Sequence, residues 1–231
     1  MHETPACYLA IVKIAGQINL VNGKICLAWY SRPMNSPRPA ASLGHPYHHG
    51  ALRRVLLDAA LAVIGEDGPA ALNLRALARR IGVSHAAPTH HFVDKAALLT
   101  AIAVEGYDLL AESLRAAEER TGYFLEMGVA YVHFAVTHPA HFAVMYRPEL
   151  YHADDPAVET ARAATAKLLY GPARRLSDNP AVNPLQVGVA AWALVHGLAM
   201  LYLGGNLPPQ LGDDPDQIAR EIAAYLFRAL P

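Results

Sequence analysis

From about residue 50 onward, apolar positions recur every three to four residues, the period of helices that each bury one face. Gly50 to Asp67 is the clearest case, with Leu52, Val55, Leu56, Ala59, Leu61, Val63 and Ile64 largely on one side and Gly65 and Gly68–Pro69 to stop it. Leu74, Leu77, Ala78 and Ile81 repeat the pattern over a shorter stretch. Asn73 is placed to cap that helix, and Arg75, Arg79 and Arg80 are left outside. Gly82 supplies the left-handed residue that turns the chain, Val83 plugs the turn, and Ser84 is predicted to cap the next helix. Pro88 removes the first intrahelical bond of that next helix, so it is predicted to be short and irregular. Further helices are predicted at about 94–119, 122–137, from 139 to before 148, at 156–176, 184–203 and 215–229, with Pro at several starts and Gly or Pro after the ends. The fold class is therefore all-α.

Two short helices joined by a tight turn over Asn73–Phe92 form the layout of a helix-turn-helix, which sets one short helix into the DNA major groove. Arg75, Ser84, His85, Ala86, Thr89 and His90 are the candidates to meet base edges and phosphates. Asp94 caps the helix that follows, and Lys95 in its first turn is expected to reach a phosphate. The stretches Tyr47–Arg53 (YHHGALR), Gly82-Val83-Ser84 and His91–Leu98 (HFVDKAAL) together resemble the TetR family of bacterial transcriptional regulators, from about Tyr47 to the end of the chain. In one place the chain departs from that family. Where the family usually carries a Tyr whose hydroxyl meets a phosphate, this chain has Thr89, which keeps a hydroxyl but loses reach. Trp192, His196 and Gly197 form a W-x-x-x-H-G pattern, and Thr137–Phe142 (THPAHF) accompanies it. Both are similar to the TetR subgroup whose ligand-binding half is called the WHG domain.

The resemblance implies three parts: residues 1–46 as an extension, 47–93 as a helix-turn-helix head, and 94–231 as a helical effector-binding and dimerisation domain. It further implies a cytoplasmic, ligand-responsive repressor that binds a palindromic DNA operator as a homodimer, with no cofactor. Formal net charge is −1, but residues 1–50 carry +3, residues 51–100 carry +2 and residues 101–231 carry −6, so positive charge gathers at the DNA-binding end. Residues 1–46 stand apart. Asn22-Gly23 between two apolar runs predicts a β-hairpin, and the proline-rich stretch from Arg32 to Pro46 reads as an arm in which Arg32 and Arg38 could serve a minor groove. Lys13 interrupts the apolar run at Cys7–Val12, which therefore lacks a signal-peptide core, and Cys7 and Cys26 have no metal-ligand spacing.

In the C-terminal half, Met127, Tyr131 and Phe134 fall on one helical stripe. With Tyr107, Phe142, Met145, Trp192 and His196 they are the candidate lining of a pocket for a small hydrophobic or aromatic effector, although such stripes are more often plain core. Residues 185–203 are apolar nearly all round, which predicts burial on every side. Val189, Leu194, Leu198 and Leu201, with Ile218, Ile222 and Tyr225 of the last helix, are therefore the candidate dimer interface, a two-fold four-helix bundle. The twelve histidines raise a metal-responsive alternative through His133, His138 and His141 or through His85, His90 and His91. A helical interaction protein is the other alternative. No H-E-x-x-H, phosphate-binding Gly loop or G-x-S-x-G elbow is present, so the sequence reads as a non-enzyme.

Overall fold

The computed structural model describes residues 20–21, 24–25, 49–175 and 182–229. The chain divides into a unit Met1–Ser36 and a unit Pro37–Pro231. In the first, strands β1 (Leu20–Val21) and β2 (Lys24–Ile25) pair antiparallel, Leu20 opposite Ile25 and Val21 opposite Lys24. That two-residue spacing is the one a hairpin turn requires. The arm with Arg32 and Arg38, and the residues Cys7 and Cys26, lie outside the described residues.

The described part of the second unit is helix and turn throughout. Helix α1 (His49–Asp67) leads through a 3-10 turn at Pro69–Ala71 into α2 (Leu74–Arg80). After a 3-10 turn at Pro88–His90 come α3 (Lys95–Thr121), α4 (Phe124–Thr137) and α5 (Pro139–Met145). Helices α6 (Pro156–Tyr170), α7 (Pro184–Leu203) and α8 (Pro215–Ala229) complete the chain.

The long α3 is the spine. Leu98, Leu99, Ile102, Ala103, Leu110 and Leu114 along it are fully buried, and α4, α5 and α6 pack around them. Asp94 caps it as the sequence predicts, accepting from Ala97 N–H at 2.7 Å. At its other end Gly122 turns left-handed (φ 68°) and its N–H bonds the Glu118 carbonyl, so α4 starts at Phe124 and not at Gly122. Midway, an added Cβ at Gly106 would stand 2.6 Å from Met145 Sδ, which explains why only glycine lets α5 lie this close. Helix α6 ends at Tyr170, short of the predicted 176, with the chain passing into a 3-10 turn at Gly171–Arg175 that contains Pro172.

Two further expectations are corrected. In α1 the buried set is Leu56, Leu57, Ala60 and Ile64, whereas Val55 is 38% exposed, because one residue of helix rotates it away from the stripe. In α7 and α8, Leu198 and Ile218 lie in the chain's own core at 4% and 2% exposure, so neither is available to a second copy. Val189, Leu201 and Tyr225 are exposed, and Leu194 and Ile222 are half-buried. Helix α7 is long and apolar enough to cross a membrane by length and composition, and 33% of its apolar window is buried.

Candidate DNA-binding head and effector core

The head is built from α1, α2 and the turn after them. Asn73 Oδ1 accepts from the backbone N–H of Arg75 and Ala76 at 3.0 and 3.2 Å, fixing where α2 begins. Leu77 and Ala78 are buried, and Leu74 and Ile81 are half-buried beside them. Gly82 takes φ 73°, which frees the chain to reverse. Phe92 closes the head from below, with the Arg53 guanidinium 5.2 Å above its ring. Arg75, Arg79 and Arg80 of α2 are all exposed, and Arg80 is held by Glu66 at 2.7 and 2.8 Å.

The segment expected to read DNA is more irregular than a helix. Ala87 N–H bonds the Ser84 carbonyl at 3.0 Å, and only Pro88–His90 forms a 3-10 turn. Pro88 has no N–H with which to continue the ladder, and its buried ring anchors the turn. Ser84 therefore contributes its carbonyl and not the predicted side-chain cap. Ser84, His85, Ala86, Thr89 and His90 are all exposed on this turn. The Thr89 hydroxyl already donates to the Ala86 carbonyl at 2.8 Å, so its proton is committed to the backbone. Lys95 likewise donates to the Ala70 carbonyl at 3.0 Å, and partial burial lowers its pKa. It thus ties α3 to the turn after α1, with two N–H bonds still to offer.

Below the head, one ionic chain crosses from head to core. Arg54 of α1 donates to Glu105 Oε2 of α3 at 2.8 Å, and His141 Nε2 of α5 lies 3.3 Å from Glu105 Oε1. Arg54 also holds Asp58, and the two carboxylates raise its pKa. His141 is buried, and desolvation lowers its pKa more than Glu105 raises it, so at neutral pH it donates as a neutral imidazole.

The C-terminal core holds a knot around one hydroxyl. Tyr131 Oη donates to Tyr146 Oη at 2.8 Å and accepts from Trp192 Nε1 at 3.2 Å; His196 Nδ1 lies 2.8 Å away. With the Tyr131 proton given to Tyr146, the geometry assigns the Nδ1–H tautomer to His196. Burial lowers the pKa of His196, raises that of Tyr131, and pushes Tyr146 up to about 12. The W-x-x-x-H pair therefore has a structural meaning: one helical turn apart on α7, both rings reach the same oxygen.

Next to the knot runs a narrow apolar crevice with a free volume of about 30 Å³, walled by Leu114, Met127, Tyr131, Leu168, Trp192 and Val195 among others. Met127, Tyr131 and Trp192 of the predicted pocket border it; Tyr107, Phe134, Phe142, Met145 and His196 do not. The reason is packing and hydrogen bonding. Tyr107 Oη is committed to the Met145 carbonyl at 2.9 Å, Phe134 stacks on His138 at 5.1 Å, and Phe142 sits edge-on to Tyr146 at 5.2 Å. Leu168 and Leu169 of α6 also line it; as aliphatic residues off the aromatic stripe of α4 they carried no pocket signal. Among the described residues no three His, Cys, Asp or Glu side chains are grouped to hold a metal ion. His133 instead pairs with Asp216 at 3.1 Å.

Residues 56–102 match the model of the bacterial regulatory proteins, tetR family, and residues 124–226 match that of the tetracyclin repressor-like C-terminal domain. The chain belongs to the TetR family. A protein of unknown function from Rhodococcus sp. RHA1 is 35% identical, over 81% of this chain and 99% of that one, with a TM-score of 0.68. The TetR family transcriptional regulator PfmR from Thermus thermophilus shares the fold at 20% identity and TM-score 0.62, over 76% of this chain and 98% of PfmR. AibR, solved in complex with isovaleryl coenzyme A and operator DNA, shares it at 18% identity and TM-score 0.56, over 76% and 97%. No curated protein matches the chain. TetR membership makes the protein a DNA-binding transcriptional regulator, with the helix-turn-helix head and the helical C-terminal domain in one all-α unit.

Proposed function

We propose that the protein is a ligand-responsive repressor that binds a palindromic operator as a homodimer and releases it when a small apolar effector enters the C-terminal core. The observation that carries this reading is the Arg54–Glu105–His141 chain, which joins α1 of the head to α5 of the core through the middle of α3. A displacement of α5 is passed to the head through that contact, and the close approach of α5 to Gly106 makes α3 move with it. Effector releases DNA only in so far as it binds the DNA-incompetent arrangement more tightly. AibR, crystallised with both an acyl thioester and operator DNA, is the precedent for both ligands on this fold.

Dimerisation is supported by the uncovered face of α7. Leu185 (58%), Val189 (42%) and Leu201 (47%) are exposed over the part of α7 turned from the core, and Tyr225 of α8 is 66% exposed. Exposed Ala190 and Ala193 on the same helix let a partner helix approach closely. On the DNA side, Arg75, His85, Ala86 and His90 present the readout surface, with Lys95, Ser84 and Thr89 as supporting contacts. Selection from a pool of random duplexes by the purified chain tests the proposal. We expect two inverted half-sites with centres about 34–36 Å apart, one turn of DNA. A single unrepeated motif, or no enrichment, contradicts it.

A further inference from the structure

We propose that the crevice takes an unbranched acyl chain of medium length, inserted tail first from the surface beside Arg175. This rests on the reading of the C-terminal half as effector-binding, and it names the class of effector.

Three features of the crevice select this guest. Its walls are Leu, Phe, Met, Val and Ala side chains with the Trp192 ring and Tyr131, whose Oη is already bonded to Tyr146, Trp192 and His196. A polar group carried inside would lose its water and find no unpaired partner, so the inserted part is apolar. With about 30 Å³ free, the crevice as it stands has room for water-sized guests only, so a longer guest enters by displacing wall side chains. A polymethylene chain is the guest that needs least lateral room, and Met127, Leu125 and Leu168 are the flexible wall side chains that must turn aside for it. The mouth is amphipathic. Phe124 and Leu125 line both the crevice and an open depression that carries Pro172, Glu126 and Arg175. Arg175 is 62% exposed and bonded to Glu118, and its fork has further N–H bonds to offer an acyl carboxylate or thioester carbonyl. From Phe124 to Tyr131 the crevice follows seven residues of α4, roughly 10 Å at ~1.5 Å per residue, the reach of about eight carbons.

The test is a titration of the full-length Trp29→Phe chain, in which Trp192 in the crevice wall is the only indole left. The probes are straight-chain carboxylates from butanoate to hexadecanoate, below their micelle concentrations, with the matching coenzyme A thioesters as a second arm. Trp192 emission should change, with affinity rising roughly fourfold per methylene up to about octanoate and then levelling off. The arm that binds more tightly identifies the free acid or the thioester as the source. Silence across both series overturns the proposal. So does affinity that climbs to hexadecanoate without a plateau, which marks adsorption to exposed apolar surface. Gly128→Val narrows the crevice, because a Cβ there already comes within 3.2 Å of Val195 Cγ1. It should weaken octanoate about tenfold. Since a core substitution also costs stability, Arg175→Glu at the exposed mouth is read beside it and should weaken octanoate about fivefold. Unchanged binding in both variants contradicts the assignment. DNA binding measured without any acyl compound does not depend on a guest in the crevice, so failure here is distinct from failure of the regulator reading.

Discussion

The Tyr131 hydroxyl is where the core is most exacting. One oxygen serves Tyr146, Trp192 and His196 in surroundings that are otherwise apolar, so removing it orphans several polar groups at once. Tyr131→Phe should lower stability by about 1–3 kcal/mol, read as a lower denaturant midpoint with an unchanged slope. An unaltered midpoint would show that the knot contributes nothing. The buried histidines give the fold a pH dependence of definite sign. Burial depresses both His141 and His196 below the ordinary 6.5, so the unfolded chain binds protons that the folded chain refuses. Their contribution is complete above pH 6.5 and is lost as pH falls through their folded-state values. The melting temperature should therefore drop between pH 7 and pH 5, and replacing both histidines with Asn should flatten that drop. An equal drop in the double variant would place the acid sensitivity elsewhere.

At the scale of elements, Glu105 links three helices that the sequence pattern treats as separate. Glu105→Gln removes the charge that Arg54 and His141 share. The expected cost is about 1 kcal/mol, because the pair is partly solvated. Hydrogen exchange should quicken in α1 and α5 together, and quickening confined to α3 would deny the coupling. Helix limits were legible wherever a local signal sets them: Asn73 and Asp94 as caps, Gly82 as the reversal, and Pro184 and Pro215 at the starts of α7 and α8. Pro88 also announced the irregular readout turn, although its full consequence, a 3-10 turn in place of a helix, depends on the buried seat of its ring. What periodicity could not show was which apolar face meets which neighbour. Phe134 lies on the same stripe as Met127 and Tyr131, yet only the latter pair borders the crevice. Leu198 and Ile218 differ from Val189 and Leu201 only by rotation about their helices, and that rotation decides between core and surface. Partners committed to backbone, as Thr89 is to Ala86 and Lys95 to Ala70, leave no trace in residue type.

On the scale of the whole molecule, the head, its ionic tie to the core and the uncovered face of α7 fit one device: two heads set at a fixed spacing by a shared helical base. Val189→Glu with Leu201→Glu puts two charges on that face and should turn a dimer into a monomer in sedimentation. It should leave helix content unchanged and weaken operator binding steeply, since one head alone holds half the contacts. A dimer that survives both substitutions places the interface elsewhere. Whether this chain recognises a specific DNA sequence is read by fluorescence anisotropy. The chain is titrated onto duplex from its own upstream intergenic DNA and onto a scrambled duplex of equal length, at the same near-physiological salt. We expect tight, saturable binding to the native duplex, at least about a thousandfold above the scrambled one, and a marked loss in Arg75→Ala. Equal, weak binding to both duplexes would contradict it.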